Sequence, residues 1–248
     1  MDTRLLLGIF LRTYFVGATF NTKGMQNVGL AYVMDPALVR LYGHDRSALQ
    51  RARSRYLKHY NSHPFWTPLL VGIFLSMEKK IAQGLLPPDI LPKLRSTTVY
   101  TLSALGDSFF GGSFLVTWSL VAVNLAAAGR VVWLALWAGA CLVGLVLFKL
   151  YTFGRGYAQG LAFLQQLRSW NLIDWGQRLK LVNGVLAALF VLQVAPVPGF
   201  WPLIWAVGIA LLAVCSVLRI GARSLILTVL MLAGLFVPWS VIRDYVFM

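Results

Sequence analysis

The sequence has few acidic residues and few charges of any kind. Its 248 residues include eight Asp and Glu against 22 Lys and Arg; charged residues make up 12% of the chain, and hydrophobic residues 58%. Soluble domains carry about 25% charged residues, so the composition excludes an ordinary soluble domain and predicts a membrane protein. The net charge of +14 is typical of basic loops beside membrane spans and does not indicate nucleic-acid binding.

Cysteine and histidine are equally scarce. The two cysteines, Cys141 and Cys215, lie inside apolar runs and are expected to be buried and unpaired. No Cys or His cluster has metal-ligand spacing, so we expect neither a metal site nor another cofactor. The sequence also lacks a nucleophile elbow and a P-loop, so we expect no catalytic residues.

Long uncharged runs fill the second part of the chain. Candidate spans cover residues 108–128, 131–148 and 224–242, and the run 181–218 is long enough for two spans separated by a turn at 196–199. The predicted fold class is an all-α integral membrane protein with about five transmembrane helices plus N-terminal amphipathic and re-entrant helices. We divide the chain into an N-terminal helical region, cytoplasmic or re-entrant, over 1–95 and a transmembrane region over 96–248.

The basic residues predict the orientation. Thirteen Lys and Arg fall in the first 95 residues, and the basic loops between spans alternate with sparsely charged ones. Because cytoplasmic loops carry the excess of Lys and Arg, we expect a cytoplasmic N-terminus.

The N-terminal region predicts several helices. Residues 4–12 read as an amphipathic helix, and Asp35 before Pro36 predicts the start of a short helix over 37–42. A further helix over 46–60 carries an apolar stripe and a basic one. The basic stripe is either a solvated face or a contact for anionic headgroups or an acidic partner. The basic stripe comprises Arg51, Arg55 and Lys58. After these helices, prolines in 84–92 predict a linker.

Two acidic residues lie against apolar runs. Asp107, flanked by glycines, is either a functional carboxylate on a broken or re-entrant helix or the N-cap of the next helix. Glu78 is the only glutamate and ends the apolar run 65–77, which is too short to span and is either a core helix or a re-entrant arm. Its side chain is either functional or a surface group paired with Lys79 or Lys80.

Five short motifs follow one another along the chain. They are Met25-Gln26-x-x-Gly29 within 20–42, Tyr60-Asn-Ser-His-Pro64, and the segments Gly72–Lys79, Gly106–Gly112 and Gly156–Gly160. In this order they resemble the IID component of the mannose/fructose/sorbose family of the bacterial sugar phosphotransferase system. The last four are similar to that family's aromatic-Asn-Thr-x-Pro, Gly-x-x-x-Ala-x-Glu-Glu, Gly-Asp-Pro-x-Phe-x-Gly and Gly-Tyr-x-x-Gly.

The sequence also departs from the family pattern. Two prolines and one glycine of the family are missing around Asp107, Lys79 replaces a second glutamate, and the C-terminal third is shorter than usual. Since prolines help to keep a helix broken, their loss predicts a straighter element at Asp107.

The resemblance implies a membrane subunit that translocates a hexose together with IIC while IIB, supplied by IIA, phosphorylates the sugar. It also implies the bacterial inner membrane, and histidines (His44, His59, His63) that are structural. The alternative is a degenerate homologue with an assembly or regulatory role and no transport. A sugar needs convergent donors and acceptors, whereas amides at turns often bond the local backbone. The predicted substrate-binding residues are Asp107, Glu78, Asn21, Gln26 and Asn61.

Overall fold

The computed structural model describes residues 1–194, 200–217 and 228–229. Within these ranges every regular element is a helix, and the backbone pairs otherwise only at two isolated bridges, Asn21 with Met25 and Met25 with Tyr60. The chain forms two compact units that interleave in sequence. The first comprises Met1–Asp107 and Val143–Asn171; the second comprises Ser108–Leu142 and the described residues from Leu172 onward. The division of the chain at residue 95, into an N-terminal helical region and a transmembrane region, stays a prediction.

Four helices and a short 3₁₀ segment make up the N-terminal part of the first unit. The fourth helix is its centre, because every residue from Thr67 to Glu78 is buried. The predicted apolar run is therefore a core helix of this unit. The elements are α1 (Thr3–Arg12), the 3₁₀ segment (Thr13–Thr19), α2 (Asn27–Tyr42), α3 (Arg46–Tyr56) and α4 (Thr67–Ala82).

The predicted start of the short helix over 37–42 is wrong. Helix α2 begins at Asn27, Pro36 lies inside it, and Asp35 does not cap it but pairs with Arg53. Proline inside a helix removes one hydrogen bond and clashes with the preceding turn. Burial of an apolar face of α2 offsets this cost. That face comprises Leu30, Val33, Met34, Ala37 and Leu38.

Helix α3 begins where the sequence predicts but ends four residues early. The side chain of Asp45 accepts hydrogen bonds from the backbone N–H groups of Ser47 and Ala48, as an N-cap should. At the other end, the guanidinium of Arg95 donates to the carbonyls of Arg55, Lys58 and His59. This side chain satisfies carbonyls around the end of α3, so the helix ends at Tyr56 and not at Tyr60.

One helix of 38 residues, Ile90–Ala127, contains Asp107. The predicted linker precedes it, and Pro92 falls in its first turn, where proline is tolerated. The helix continues through Asp107, which has φ −61° and ψ −42°, as the missing family prolines predict. The interpretations of Asp107 as part of a broken or re-entrant element and as an N-cap are therefore wrong. The glycines alone do not interrupt the helix. Its parts are α5 (Ile90–Leu94), α6 (Tyr100–Gly106) and α7 (Leu115–Ala127), joined by π-helical segments Arg95–Val99 and Asp107–Phe114.

Three helical stretches in the described part of the chain are long and apolar enough to cross a membrane, and at most 17% of the apolar window of each is buried. They are Ile90–Ala127, Val131–Gln159 and Ala162–Val194; the second runs well past its predicted end at 148. The turn at 196–199 and almost all of the span 224–242 lie outside the described residues, so five spans stay a prediction. The remaining helices are α8 (Val131–Gln159), α9 (Ala162–Ser169), α10 (Leu172–Val194) and α11 (Trp201–Val217).

Two motif glycines allow α4 and α8 to touch through their backbones. A methyl group at Gly72 would lie 2.4 Å from the carbonyl oxygen of Phe153, and one at Gly156 would lie 2.6 Å from that of Leu69. Both distances are far below van der Waals contact. Any larger residue would force the two helices of the first unit apart, which explains the glycine at each position.

Candidate functional site

The predicted residue Asn21 organises a tight loop between the 3₁₀ segment and α2. Its Oδ1 accepts a hydrogen bond from the backbone N–H of Gly24 at 2.7 Å, and its Nδ2 donates to the carbonyl of Met25 and to Oδ1 of Asn27. Met25 has a φ of 59°, a conformation that is uncommon outside glycine. The Asn21 amide therefore holds a strained turn in place.

The loop joins the segment that contains Asn61. The backbone N–H of Gln26 donates to the carbonyl of Tyr60 at 2.8 Å, and Oε1 of Gln26 accepts from the N–H of Ser62 at 3.2 Å. The structure thus brings the segments of three predicted residues together. The Asn21 side chain bonds the local backbone, as the structural interpretation expects. The Gln26 side chain instead bonds a segment 36 residues away, and Asn61 lines a nearby cleft.

Glu78 is completely buried and sits at the centre of a network of side chains. Its Oε1 accepts from Nε and Nη2 of Arg55 and from the hydroxyl of Tyr56; its Oε2 accepts from Nη2 of Arg55 and from the hydroxyl of Tyr42, both at 2.7 Å. Buried carboxylates are stable only with such partners. The predicted surface pairing with Lys79 or Lys80 is wrong, because those lysines are exposed and Glu78 points inward.

Three helices of the first unit bring the side chains of this network together. Tyr42 ends α2, Arg55 and Tyr56 end α3, and Glu78 lies on α4. Burial raises the pKa of Tyr42 and of Tyr56, and the Glu78 carboxylate raises both further. Both tyrosines therefore stay protonated and donate. Because the carboxylate already accepts from three side chains, direct sugar binding by Glu78 would require displacing one of them.

Arg55 corrects the interpretation of the basic stripe as a solvated face. Only 15% of its side chain is exposed, against 48% for Arg53 on the same helix. The sequence contained only part of the signal: a glutamate that is buried at the end of an apolar run needs a partner, but thirteen Lys and Arg in the first 95 residues are candidates for that role.

Asp107 lies on the exposed side of the long helix, where that helix meets the loop before α4. A methyl group at Gly106 would lie 2.4 Å from Cβ of His63 and 2.9 Å from Cδ1 of Trp66, so this loop packs directly on the helix. Burial lowers the pKa of His63; the charge of Asp107 raises it, and that of Lys149 lowers it. His63 therefore lies within electrostatic range of both Asp107 and Lys149, and we call these three residues the Asp107 cluster.

Aromatic rings surround this cluster. Nζ of Lys149 lies 4.3 Å from the ring centroid of Tyr14 and 5.1 Å from that of Phe65, whose ring in turn contacts His63. Such cation–π contacts stabilise an ammonium group away from bulk water. A carboxylate that accepts, an ammonium that donates and flat apolar rings together suit a neutral polyhydroxylated ligand. Sequence reasoning missed Lys149, although a lysine in an apolar run is a signal.

The second unit contains a different polar arrangement. Nδ2 of Asn183 donates to the carbonyl of Ser113 in the π-helical segment, and Nδ2 of Asn124 donates to the carbonyl of Leu186. Nε2 of Gln193 donates to Oδ1 of Asn124 at 2.8 Å. These bonds tie α10 to α7 and the π-helical segment before it. Sequence reasoning missed them, although amides within apolar runs indicate helix contacts.

No group of three His, Cys, Asp or Glu residues that could hold a metal ion occurs in the described ranges.

Comparison with known proteins gives a consistent result. The model of the PTS system mannose/fructose/sorbose family IID component matches residues 1–191. The chain is 27% identical over 196 residues to the fructose permease IID component of Bacillus subtilis (strain 168), covering 75% of this chain and 66% of the relative. It is 25% identical over 168 residues to the PTS system mannose-specific EIID component of Escherichia coli (strain K12). This match covers 64% of this chain and 57% of the relative.

Solved structures share the fold. A chain described as a membrane protein superimposes with a TM-score of 0.67 at 21% identity and covers 77% of this chain and 70% of its own length. A second match is a chain from the cryo-EM structure of the mannose transporter ManYZ in complex with microcin E492. It superimposes with a TM-score of 0.61 at 18% identity and covers 99% of this chain and 97% of its own length. The prediction of an all-α integral membrane protein is confirmed. Since the family match covers most of the described residues, the chain belongs to the mannose/fructose/sorbose family of PTS IID components.

Proposed function

We propose that this chain is the IID subunit of a mannose-family phosphotransferase permease, which translocates a hexose together with a IIC subunit. In this proposal the cytoplasmic IIB protein, supplied by IIA, phosphorylates the sugar, and IID itself is not catalytic. Family membership and the names of its relatives support it. The chain spans 66% and 57% of the lengths of the two relatives described above.

The exposed carboxylate of Asp107 is the observation that carries the proposal. It lies on a helix long and apolar enough to cross a membrane, at the start of a π-helical segment. A charge in such a helix is costly unless it serves a polar path or a partner, and π-helical segments often mark functional sites. We infer that Asp107 accepts hydrogen bonds from sugar hydroxyl groups, with Lys149 as a donor beside it.

The other predicted site residues fall into two roles. The Glu78 network and the loop held by Asn21 and Gln26 fix the position of the segment 57–66, which presents His63 beside Asp107. Asn61 remains a candidate contact for a polar ligand, because it lines a cleft of the same segment. Asp107 is the residue on which direct sugar binding depends in this proposal.

The proposed location is the bacterial inner membrane, with the N-terminus in the cytoplasm. The excess of Lys and Arg in the first 95 residues supports this orientation. It would bring the N-terminal helices to the side on which IIB works. Labelling of single cysteines in intact cells tests it: a cysteine placed at exposed Arg51 should react only after the membrane is permeabilised.

The test of the function is sugar uptake driven by phosphoenolpyruvate. Cells that contain the IIC, IIA and IIB proteins and this chain are supplied with radiolabelled mannose, fructose, sorbose or amino sugars, and compared with cells that lack this chain alone. We expect Asp107→Asn to reduce uptake by at least about tenfold, since a hydrogen bond to a charged group contributes about 1.5–3 kcal/mol. Asp89→Asn removes the same charge from an exposed residue just before the same helix and should leave uptake unchanged.

Two results would contradict the proposal. Uptake at the wild-type level in Asp107→Asn, with equal amounts of protein in the membrane, would exclude the site role of Asp107. Uptake that is independent of this chain, with the complex correctly assembled, would favour the alternative of a homologue that serves assembly or regulation. The missing family prolines around Asp107, and the unbroken helix that results, are the observations behind this alternative.

A further inference from the structure

A small cleft lies between the end of α3 and the beginning of the long helix, within the first unit. Its volume is about 160 Å³, enough for about five water molecules at their liquid volume. Such a volume suits a compact polar group and not a drug-sized ligand, which occupies 300 Å³ or more. The lining residues are Lys58, His59, Tyr60, Asn61, Pro92, Arg95, Val99 and Tyr100.

The charge of the cleft is positive. Lys58 and Arg95 both line it, and none of its lining residues is acidic. Among the described residues the ion pairs are Arg53 with Asp35 and Arg55 with Glu78, so neither cation of the cleft belongs to one. The charge of the lining therefore favours an anion over a cation.

The side chain of Arg95 is a buried, hydrogen-bonded part of the cleft lining and not a free surface group. Only 9% of the residue is exposed, and its Nη2 donates to the carbonyls of Lys58 and His59 at 2.8 Å. A guanidinium has five N–H groups, of which these bonds and the one to Arg55 use three. The end of a helix supplies about half a negative charge, so much of the guanidinium charge stays uncompensated. The bonds fix the orientation of the guanidinium at the cleft.

Polar and aromatic groups complete the lining. The rings of His59 and Tyr100 lie 6.3 Å apart at an angle of 31°, and Arg95 lies 5.8 Å from the ring centroid of Tyr60. The amide of Asn61 adds a neutral donor, and the imidazole and phenol add others. One arginine held in place, one exposed lysine and further polar donors form a lining that suits a tetrahedral phosphate.

We propose that this cleft binds a phosphate group. The group can belong to a soluble phosphate ester or to the headgroup of an anionic lipid, because both present the same phosphate oxygens; basic pockets beside membrane helices bind such headgroups. The inference is independent of the transport function, because binding by the purified chain requires neither uptake nor other subunits.

The experiment measures binding to the full chain by two routes. In neutral detergent, equilibrium dialysis measures binding of radiolabelled inorganic phosphate and of mannose 6-phosphate. In vesicles that contain equal amounts of phosphatidylglycerol and phosphatidylcholine, native mass spectrometry of the extracted protein measures which lipid is retained. Saturable binding in the first route identifies a soluble phosphate ester, and preferential retention of phosphatidylglycerol in the second identifies a lipid.

Lys58→Glu is the variant to compare, because Lys58 is exposed and, in the part of the chain that the structure describes, it takes part in side-chain hydrogen bonding only through its backbone carbonyl, which accepts from Arg95. We expect it to weaken binding at least about fivefold, since it replaces an attractive charge with a repulsive one. Lys80→Glu makes the same change of charge on the exposed end of α4, away from the cleft, and should bind like wild type. Arg95→Lys keeps the charge but loses the planar fork, and we expect it to bind more weakly than wild type.

The proposal fails in either of two cases. Wild-type protein that binds neither phosphate probe and retains the two lipids equally would overturn it. Equal losses in Lys58→Glu and Lys80→Glu would also overturn it, because they would show attraction to the overall charge of the protein and not to this cleft.

Discussion

Removing Arg55 should destabilise the protein far more than removing Arg53, although both arginines lie on α3 and both pair with a carboxylate. Arg55→Ala takes away every hydrogen bond that a cation makes to Glu78 and leaves a carboxylate that is 0% exposed with only Tyr42 and Tyr56 as donors. Breaking a buried ion pair from one side costs about 3–5 kcal/mol. For a chain of this size that corresponds to a decrease of roughly 10 °C in the unfolding midpoint.

The matched control is Arg53→Ala. Its pair with Asp35 has the same short distance of 2.7 Å, but both side chains are largely exposed, at 48% and 41%. Exposed pairs are screened by water and contribute little, so its midpoint should stay close to that of wild type. The assay heats detergent-solubilised protein and measures the fraction that stays monodisperse by fluorescence-detected size-exclusion chromatography.

A double variant separates loss of the pair from loss of packing. Arg55→Leu with Glu78→Gln removes both charges, keeps an apolar side chain in place of the arginine stem, and keeps an acceptor for the tyrosine hydroxyls. We expect it to recover at least half of the loss seen in Arg55→Ala, because the cost comes mainly from the unpaired carboxylate. A midpoint of Arg55→Ala equal to that of Arg53→Ala would refute the reasoning.

Three further predictions concern a helix contact, the dependence of stability on pH, and the pKa of His63. Gly156→Val should destabilise the protein by about 3 kcal/mol, because the new side chain would meet the carbonyl of Leu69. Gly144→Val on the same helix is the control: a methyl group there meets no atom within 4 Å, so the unfolding midpoint should change little. The same heating assay measures both variants. Since the pKa of His63 is lowered on folding, its contribution to stability is present above about pH 6.5 and is lost as the pH falls through the lower folded-state pKa. The midpoint should therefore fall on acidification, and less steeply in His63→Gln. In Asp107→Asn, the pKa of His63 measured by NMR should fall further, because a charge that raises it is gone; an unchanged pKa would contradict the proximity of the two groups.

The π-helical segment at Asp107 shows why part of the site could be predicted and part could not. A lone aspartate among glycines in an apolar run marks a position of interest, and it does so in the sequence alone. Whether the backbone breaks there depends on whether neighbouring groups satisfy its carbonyls. The structure keeps the helix continuous, and Asn183 from a distant part of the chain donates to the carbonyl of Ser113.

The sequence by itself determined the membrane character, the helical class and the family, because these depend on composition, run length and short motifs that survive without knowledge of contacts. It also identified Glu78 and Asp107 as unusual acids. Only the tertiary structure decided their partners: Arg55 turns inward to Glu78, and the loop before α4 places His63 near Asp107. Contacts between residues far apart in sequence follow from the packing of helices against one another, and periodicity along a single helix does not contain that information.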